Sequence, residues 1–178
     1  MKKFAWATSL CLIILYSSAN ADDGLSLGAS YTYVTIKDSD QGFSFDAADT
    51  GYKLFGRYMF NNGLGIEGGY IDFGNPHDDL FGQVARIDAE AWSLYGVGAL
   101  GLSDSFDLFA KAGVISWEAD SLIDGVPISV DDGEDLALGI GAKWNSDGAF
   151  GLRAELEWFD VDDVDAVWMA SVGFELRF

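Results

Sequence analysis

The last thirteen residues of the chain alternate between apolar and polar side chains with a period of two. One face of residues 166–178 is free of charge and carries Ala166, Trp168, Ala170, Val172, Phe174, Leu176 and Phe178. The opposite face carries Glu175 and Arg177. The preceding segment, 149–159, repeats this division, with apolar side chains at even positions and charged side chains of both signs at odd positions. Paired strands of this kind are typical of a transmembrane β-barrel, which has lipid outside and polar side chains inside.

The same alternation predicts eight strands along the chain. They cover residues 25–36, 51–60, 64–73, 87–102, 106–118, 136–145, 149–159 and 166–178. Three tight turns are predicted at 61–63, 103–105 and 145–148, and four mostly longer acidic connections at 37–50, 74–87, 119–135 and 160–165. An even strand count with short turns on one side favours an all-β fold, an eight-stranded antiparallel up-and-down transmembrane β-barrel whose acidic loops are extracellular.

The fourth predicted strand leaves its orientation open. Trp92 and Leu94 share one face, but Tyr95 and Val97 occupy the other. A soluble lipocalin-like barrel is the rival fold, and it would turn its apolar face inward and its charged face to water. The two folds therefore differ in where the lysines and arginines of the strands lie.

The first 21 residues predict an export signal. Lys2 and Lys3 precede an apolar core at 4–16, and 19–21 reads Ala-Asn-Ala, a small-x-small cleavage site. We expect cleavage after Ala21, which leaves residues 22–178 as a single outer-membrane barrel domain. Cys11 lies within the signal, so the mature chain is expected to have no disulfide and no metal–thiolate site.

The charge balance excludes one class of partner. Aspartate and glutamate number 29 against ten lysines and arginines, a formal net charge of −19. Nucleic-acid binding needs a basic surface, so we expect no nucleic-acid partner. The mean hydropathy is nevertheless positive, at +0.14. High charge and high hydropathy coexist when charged and apolar side chains are separated in space.

The strand pattern places a set of charged side chains inside the barrel, where they are expected to pair in a lumen network. The predicted members are Lys53, Arg57, Glu67, Lys111, Lys143, Arg153, Glu155, Glu157, Glu175 and Arg177. Such a network could form an ion path or a structural plug. An eight-stranded barrel is barely wide enough for its own side chains, which favours the plug.

Two further candidates for chemistry carry less weight. His77 is the single histidine and has no serine close in sequence, so a Ser/His hydrolase site is not favoured and no catalytic residue is assigned. The acidic stretches 131–135 and 160–165 could bind calcium, but neither has the spacing of an EF-hand loop. The favoured alternative is a solvated rim that meets lipopolysaccharide through shared divalent cations, with no assigned metal ligand or cofactor.

Segments 52–58, 64–70, 106–113 and 173–178 together resemble the OmpA-like family of eight-stranded outer-membrane barrels. In that family the C-terminal aromatic strand resembles the signal read by the outer-membrane insertion machinery, which implies this role for Phe174, Leu176 and Phe178. The periplasmic peptidoglycan-binding domain of larger members is not expected here, because the chain ends at Phe178.

The sequence thus predicts a non-enzymatic protein of the bacterial outer membrane with a structural or surface-interaction role. Its expected partners are outer-membrane lipid, lipopolysaccharide, the insertion machinery and an unidentified extracellular ligand of the acidic loops. A narrow channel for small solutes remains the main alternative. An outer-membrane lipid-modifying enzyme is the other alternative.

Overall fold

The computed structural model describes residues 24–40, 43–60, 62–74, 77–80, 83–123, 126–146, 149–161 and 166–178. The predicted signal at 1–21 lies outside these residues. The strands are β1 (Gly24–Asp40), β2 (Phe43–Met59), β3 (Leu64–Asp72), β4 (His77–Leu80), β5 (Gln83–Ser103), β6 (Phe106–Ile123), β7 (Val126–Asn145), β8 (Phe150–Asp160) and β9 (Ala166–Arg177). In the described part of the chain no helix is long and apolar enough to cross a membrane.

Eight long strands close into a barrel within the described residues. Sequence neighbours other than β3 and β4 pair antiparallel, β3 pairs with β5, and β9 returns to pair with β1. The short strand β4 pairs with β5 beyond the end of β3. It therefore extends the barrel wall on that side and is not a ninth strand of the barrel. This topology confirms the predicted eight-stranded antiparallel up-and-down barrel.

The two faces of the wall divide as the alternation predicts. Leu136 and Ile140 project outward and are exposed, whereas Lys53 and Glu157 are fully buried. On β5, Trp92 is 64% exposed and Tyr95 is 1% exposed, which settles the orientation that the pattern left open. Charge inside and apolar side chains outside exclude the lipocalin-like alternative, whose faces would be reversed.

The tight turns gather at one end of the barrel, called here the turn end. Gly63 follows β2 with φ of +75°, a conformation that glycine adopts without strain. The amide of Phe60 donates to the carbonyl of Leu64 over 2.7 Å, and that of Ser146 donates to Phe150 over 3.0 Å. The predicted turn at 103–105 is confirmed, since β5 ends at Ser103 and β6 begins at Phe106.

At the opposite end, called the loop end, the strands run further than predicted. The predicted connection 37–50 is largely a β1–β2 hairpin, and most of 119–135 is a β6–β7 hairpin. The connection 74–87 contains β4 and the start of β5. These connections were wrongly predicted as loops because their sequences show no sustained apolar alternation, which was the signal used to predict strands.

Candidate functional site in the lumen and on the acidic face

The carboxylate of Glu67 on β3 is the centre of the buried charge network. Arg57 donates to Oε2 of Glu67 from Nε over 3.0 Å and from Nη2 over 2.9 Å. Arg153 on β8 donates to both oxygens, over 2.7 and 3.1 Å. Lys111 on β6 donates to Oε1 over 3.1 Å. One buried carboxylate therefore ties together strands from opposite sides of the lumen.

A second cluster lies beside Glu67, around two carboxylates of β8. The ammonium of Lys53 donates to Glu155 over 2.9 Å and to Glu157 over 2.8 Å. Lys111 Nζ lies 2.6 Å from Oε1 of Glu157 and also contacts Glu155. The hydroxyl of Tyr95 donates to the same Oε1 over 2.9 Å. Charges of both signs are thus paired and hydrogen-bonded, as burial requires.

The third group of charges lies towards the turn end. Lys143 donates to Glu175 over 2.9 Å, and its Nζ lies 3.7 Å from Oδ2 of Asp107. The amide nitrogen of Asn145 donates to the same Asp107 oxygen over 2.7 Å. Arg177 is half-buried and lines the opening at this end, so the structure places it at the mouth of the lumen.

Aromatic rings pack between the charged layers. The guanidinium of Arg153 lies 4.4 Å from the ring centres of both Phe55 and Phe109, and that of Arg57 lies 4.7 Å from Phe109. Cations over aromatic faces are attracted by the ring quadrupole, more strongly away from water. The lumen is therefore occupied by stacked side chains at the level of Glu67.

Sequence reasoning left three polar members out of the network: Tyr95, Asp107 and Asn145. Tyr95 lies on the fourth predicted strand, where both faces carry aromatic residues and the sequence does not show which face is inward. Asp107 has inward parity on β6, and Asn145 lies in the predicted turn. Parity predicts that Asp107 faces inward, but the hydrogen bonds of Tyr95 to Glu157 and of Asn145 to Asp107 are not readable from the sequence.

A row of carboxylates crosses the outer face of the barrel near the loop end. Asp72 on β3 is directly opposite Glu90 on β5, Glu90 is opposite Glu118 on β6, and Glu118 is opposite Asp132 on β7. All four have the outward parity, and the last three are exposed. These four residues are called here the acidic row. Like charges directly opposite each other in a sheet are destabilising.

Aromatic side chains lie next to the acidic row on the same face. Tyr70 and Trp92 are opposite each other one step nearer the barrel centre, with ring centres 5.3 Å apart. The hydroxyl of Tyr70 donates to the carboxylate of Glu90 over 2.6 Å. Tyrosine and tryptophan concentrate at membrane–water interfaces, so this level of the wall carries the side chains typical of an interface.

The weaker sequence candidates do not assemble into a site in the described residues. His77 belongs to β4, but its side chain lies outside the description. The acidic stretch 131–135 is part of β7 rather than a loop, and 160–165 is described only at Asp160 and Val161. Among the described side chains no group of three or more metal-ligating residues could hold an ion.

The three predicted assembly residues form the outward face of the end of β9. Phe174, Leu176 and Phe178 are all exposed there. The amide of Phe178 donates to the carbonyl of Leu25 over 2.9 Å, and the ring of Phe174 stacks on that of Phe150. The end of the chain is thus ordered against both neighbouring strands, with its apolar side chains turned outward.

Comparison with known proteins agrees with this geometry. The family model for the outer membrane protein beta-barrel domain matches residues 5–178. The attachment invasion locus protein of Yersinia pseudotuberculosis is 26% identical over 98% of this chain and 97% of its own length.

Two crystal structures share the fold. Neisserial surface protein A is 13% identical with a TM-score of 0.69, over 87% of this chain and 97% of that one. Ail of Yersinia pestis, solved with the heparin analogue sucrose octasulfate, is 21% identical with a TM-score of 0.59, over 87% and 99%. The family-model match and the Yersinia pseudotuberculosis relative confirm the predicted resemblance and the location in the bacterial outer membrane. The chain belongs to the outer membrane protein beta-barrel domain family.

Proposed function

We propose that the protein is a non-enzymatic surface protein that contacts lipopolysaccharide through divalent cations held at the acidic row. The observation that carries this proposal is the direct opposition of Asp72, Glu90, Glu118 and Asp132 across four strands. In this arrangement the loop end faces the cell exterior and the turn end faces the periplasm, as expected for short turns.

The chemistry of the row favours a shared cation. Repulsion between opposed carboxylates falls when a hard divalent ion lies between them, and calcium and magnesium prefer oxygen ligands. Magnesium is commonly bound by one or two carboxylates together with phosphate groups. The neighbouring Tyr70 and Trp92 support a position of the row at headgroup depth, where lipopolysaccharide carries phosphate. A cation shared with a phosphate group therefore does not need three protein carboxylates as ligands.

The same row argues against direct binding of a sulfated ligand. The Yersinia pestis relative was solved with a heparin analogue, which is a polyanion. Without a bridging cation, an anionic sugar would be repelled by Glu90, Glu118 and Asp132, all exposed on one face. We expect this chain to bind sulfated sugars weakly when divalent cations are removed.

A binding experiment tests the role of the row. The protein in phospholipid nanodiscs is titrated with purified lipopolysaccharide in calcium or in EDTA, and affinity is measured by surface plasmon resonance. Asp132→Asn is expected to weaken calcium-dependent binding about two- to fivefold, as for an exposed charge contact. The matched control Asp104→Asn, exposed at the turn end, is expected to leave the affinity unchanged. Equal binding in EDTA, or equal effects of the two variants, would contradict the proposal.

We further propose that the lumen network is a structural plug. The side chains of Glu67, Lys111 and Glu157 are fully buried at mid-barrel, which supports a filled lumen rather than a path for solutes. The narrow-channel alternative predicts stable conductance steps in planar bilayers. A plugged barrel gives none, so this recording separates the two functions.

A further inference from the structure

Apolar side chains fill the lumen between the charge network and the loop end. Six of them come from six different strands, and none of the six is more than 1% exposed. They belong to one packed cluster and are called here the apolar layer: Val34, Ile71, Ile115, Ala137, Phe159 and Met169.

The apolar layer lies on the loop side of the charge network. On β6, Ile115 lies four residues beyond Lys111 toward the loop end. On β8, Phe159 lies two residues beyond Glu157, and β3 has the same order of charged and apolar residues. At a rise of about 3.3 Å per residue, these steps correspond to about 7–13 Å along the strands. The apolar layer is therefore distinct from the network along the barrel.

Two large aromatic side chains cover the apolar layer at the loop end. Phe73 is buried and packs edge-on against Phe159, with ring centres 5.6 Å apart. Trp117 is half-buried against the same cluster, and its indole nitrogen donates to Asp135 over 2.6 Å. A Cβ atom built on Gly133 would lie 2.8 Å from Cζ2 of Trp117, so the indole lies directly on the backbone of β7. Trp117 is thus fixed across the β6–β7 pair as a lid.

The wall around the apolar layer has the reverse polarity of the membrane-spanning wall. On β3, Ile71 faces the lumen and the next residue, Asp72, faces outward. On β6, Trp117 faces the lumen and the next residue, Glu118, is exposed outside. At this level charge lies outside and apolar side chains lie inside, as in the core of a water-soluble protein.

We propose that the apolar layer is a hydrophobic seal, which keeps water and hydrophilic solutes from entering the lumen at the loop end. Apolar interiors stay dry because they offer water no hydrogen bonds, and hydrophobic constrictions close channels by dewetting. The six strands that supply the layer surround the lumen, and the Trp117 lid closes it from above.

The seal goes beyond the proposed plug because it uses no ion pair. It also explains how the network stays dry on this side. Met169 of the apolar layer is directly opposite Glu157 of the network in register. Opposite charges such as Lys53 and Glu157 attract each other more strongly where water is excluded.

Cysteine labelling measures whether hydrophilic solutes pass the apolar layer. Ser93 on β5 is inward and buried, between Ala91 of the packed cluster and Tyr95 of the network. The variant Ser93→Cys in nanodiscs is treated with a methanethiosulfonate that carries a trimethylammonium group, and labelling is followed by mass spectrometry. Ser129→Cys, exposed near the loop end, gives the rate of an open position, and the parent chain gives the background. We expect Ser93→Cys to react at least about a thousandfold more slowly than Ser129→Cys, and equal rates would overturn the proposal.

Two replacements in the apolar layer are then combined with Ser93→Cys. Phe159→Ala removes a large ring and leaves a cavity, so it is expected to raise the labelling rate about a hundredfold. Met169→Gln keeps nearly the same length but adds a polar group that favours water, and it is expected to raise the rate about tenfold. Phe150→Ala, on the outward face of the same strand, is the matched control and is expected to leave the rate unchanged.

Gel mobility of unheated samples shows which variants are folded, and Met169→Gln decides the test if Phe159→Ala does not fold. Folded Met169→Gln that labels no faster than Ser93→Cys alone would overturn the seal, as would an equal acceleration by Phe150→Ala. An equal acceleration by Glu67→Gln would also overturn it, because closure would then depend on the network. Conductance and the urea stability of Glu67→Gln test the plug separately, so the two proposals can fail independently.

Discussion

The replacement Glu67→Gln is the sharpest test of the buried network. Glutamine has nearly the same shape as glutamate but is neutral. It leaves the cations of Arg57, Arg153 and Lys111, which all donate to Glu67 at 2.7–3.1 Å, without their shared carboxylate. The side-chain NH₂ group of the glutamine would also face the guanidinium groups of Arg57 and Arg153, and two donors cannot form a hydrogen bond with each other. The variant thus removes charge while keeping volume, so any loss reports electrostatics rather than a cavity.

The expected loss follows from burial. Removing one partner of a buried ion pair costs about 3–5 kcal/mol, because the remaining charge is left uncompensated. Glu67 is fully buried, and the neighbouring Glu155 and Glu157 already serve Lys53 and Lys111, so little compensation is at hand. With a urea dependence of about 2 kcal/mol per molar, the unfolding midpoint should fall by about 2 M.

Urea titration in lipid vesicles, followed by tryptophan fluorescence and by gel mobility of unheated samples, measures this midpoint. Glu134→Gln is the matched control, since Glu134 is exposed on β7 and its loss should change stability by less than about 0.5 kcal/mol. If Glu67→Gln and Glu134→Gln unfolded at the same urea concentration, the network would contribute nothing to stability, and the proposed plug would lose its physical basis.

Three further outcomes are expected. Tyr95→Phe removes the hydroxyl that donates to Glu157 and should lower the unfolding free energy by about 1–2 kcal/mol in the same titration, so an unshifted midpoint would contradict the bond's importance. Gly113→Ala places a Cβ against the backbone of β5 and should sharply reduce the refolded fraction on gels, whereas Gly68→Ala should refold like the parent. Deletion of Phe178 should lower the folded barrel recovered in outer-membrane fractions of cells yet spare refolding in detergent; equal recovery would argue against its role as an assembly signal.

The orientation of the membrane-spanning strands was predictable because lipid excludes charge from one face. Lys53 on β2 and Glu157 on β8 had to face inward, and a period of two then fixed their neighbours. Outside the bilayer this constraint ends. The hairpin extensions of β1–β2 and β6–β7 are stabilised by backbone pairing that any polar sequence can form, so they were read as loops.

The partners inside the lumen were not predictable. Parity puts Glu67 and Lys111 in the interior, but their contact depends on how far apart β3 and β6 lie across the closed barrel. The same holds for the acidic row, where Glu90, Glu118 and Asp132 become opposed only through the register of three strands. The alternation of apolar and polar residues shows which face of a strand a side chain lies on. Which other side chains it contacts depends on how the sheet closes into a barrel.

The sequence separation within the network has a consequence for how the barrel enters the membrane. Lys53 and Glu157 are 104 residues apart, and Arg153 and Glu67 are 86 residues apart. If the N-terminal hairpins crossed the bilayer first, Lys53 would face hydrocarbon without the β8 carboxylates that accept its hydrogen bonds, at a cost of several kcal/mol. Stepwise insertion of the hairpins is therefore unfavourable. We expect the N-terminal and C-terminal halves of the chain to insert into the bilayer together.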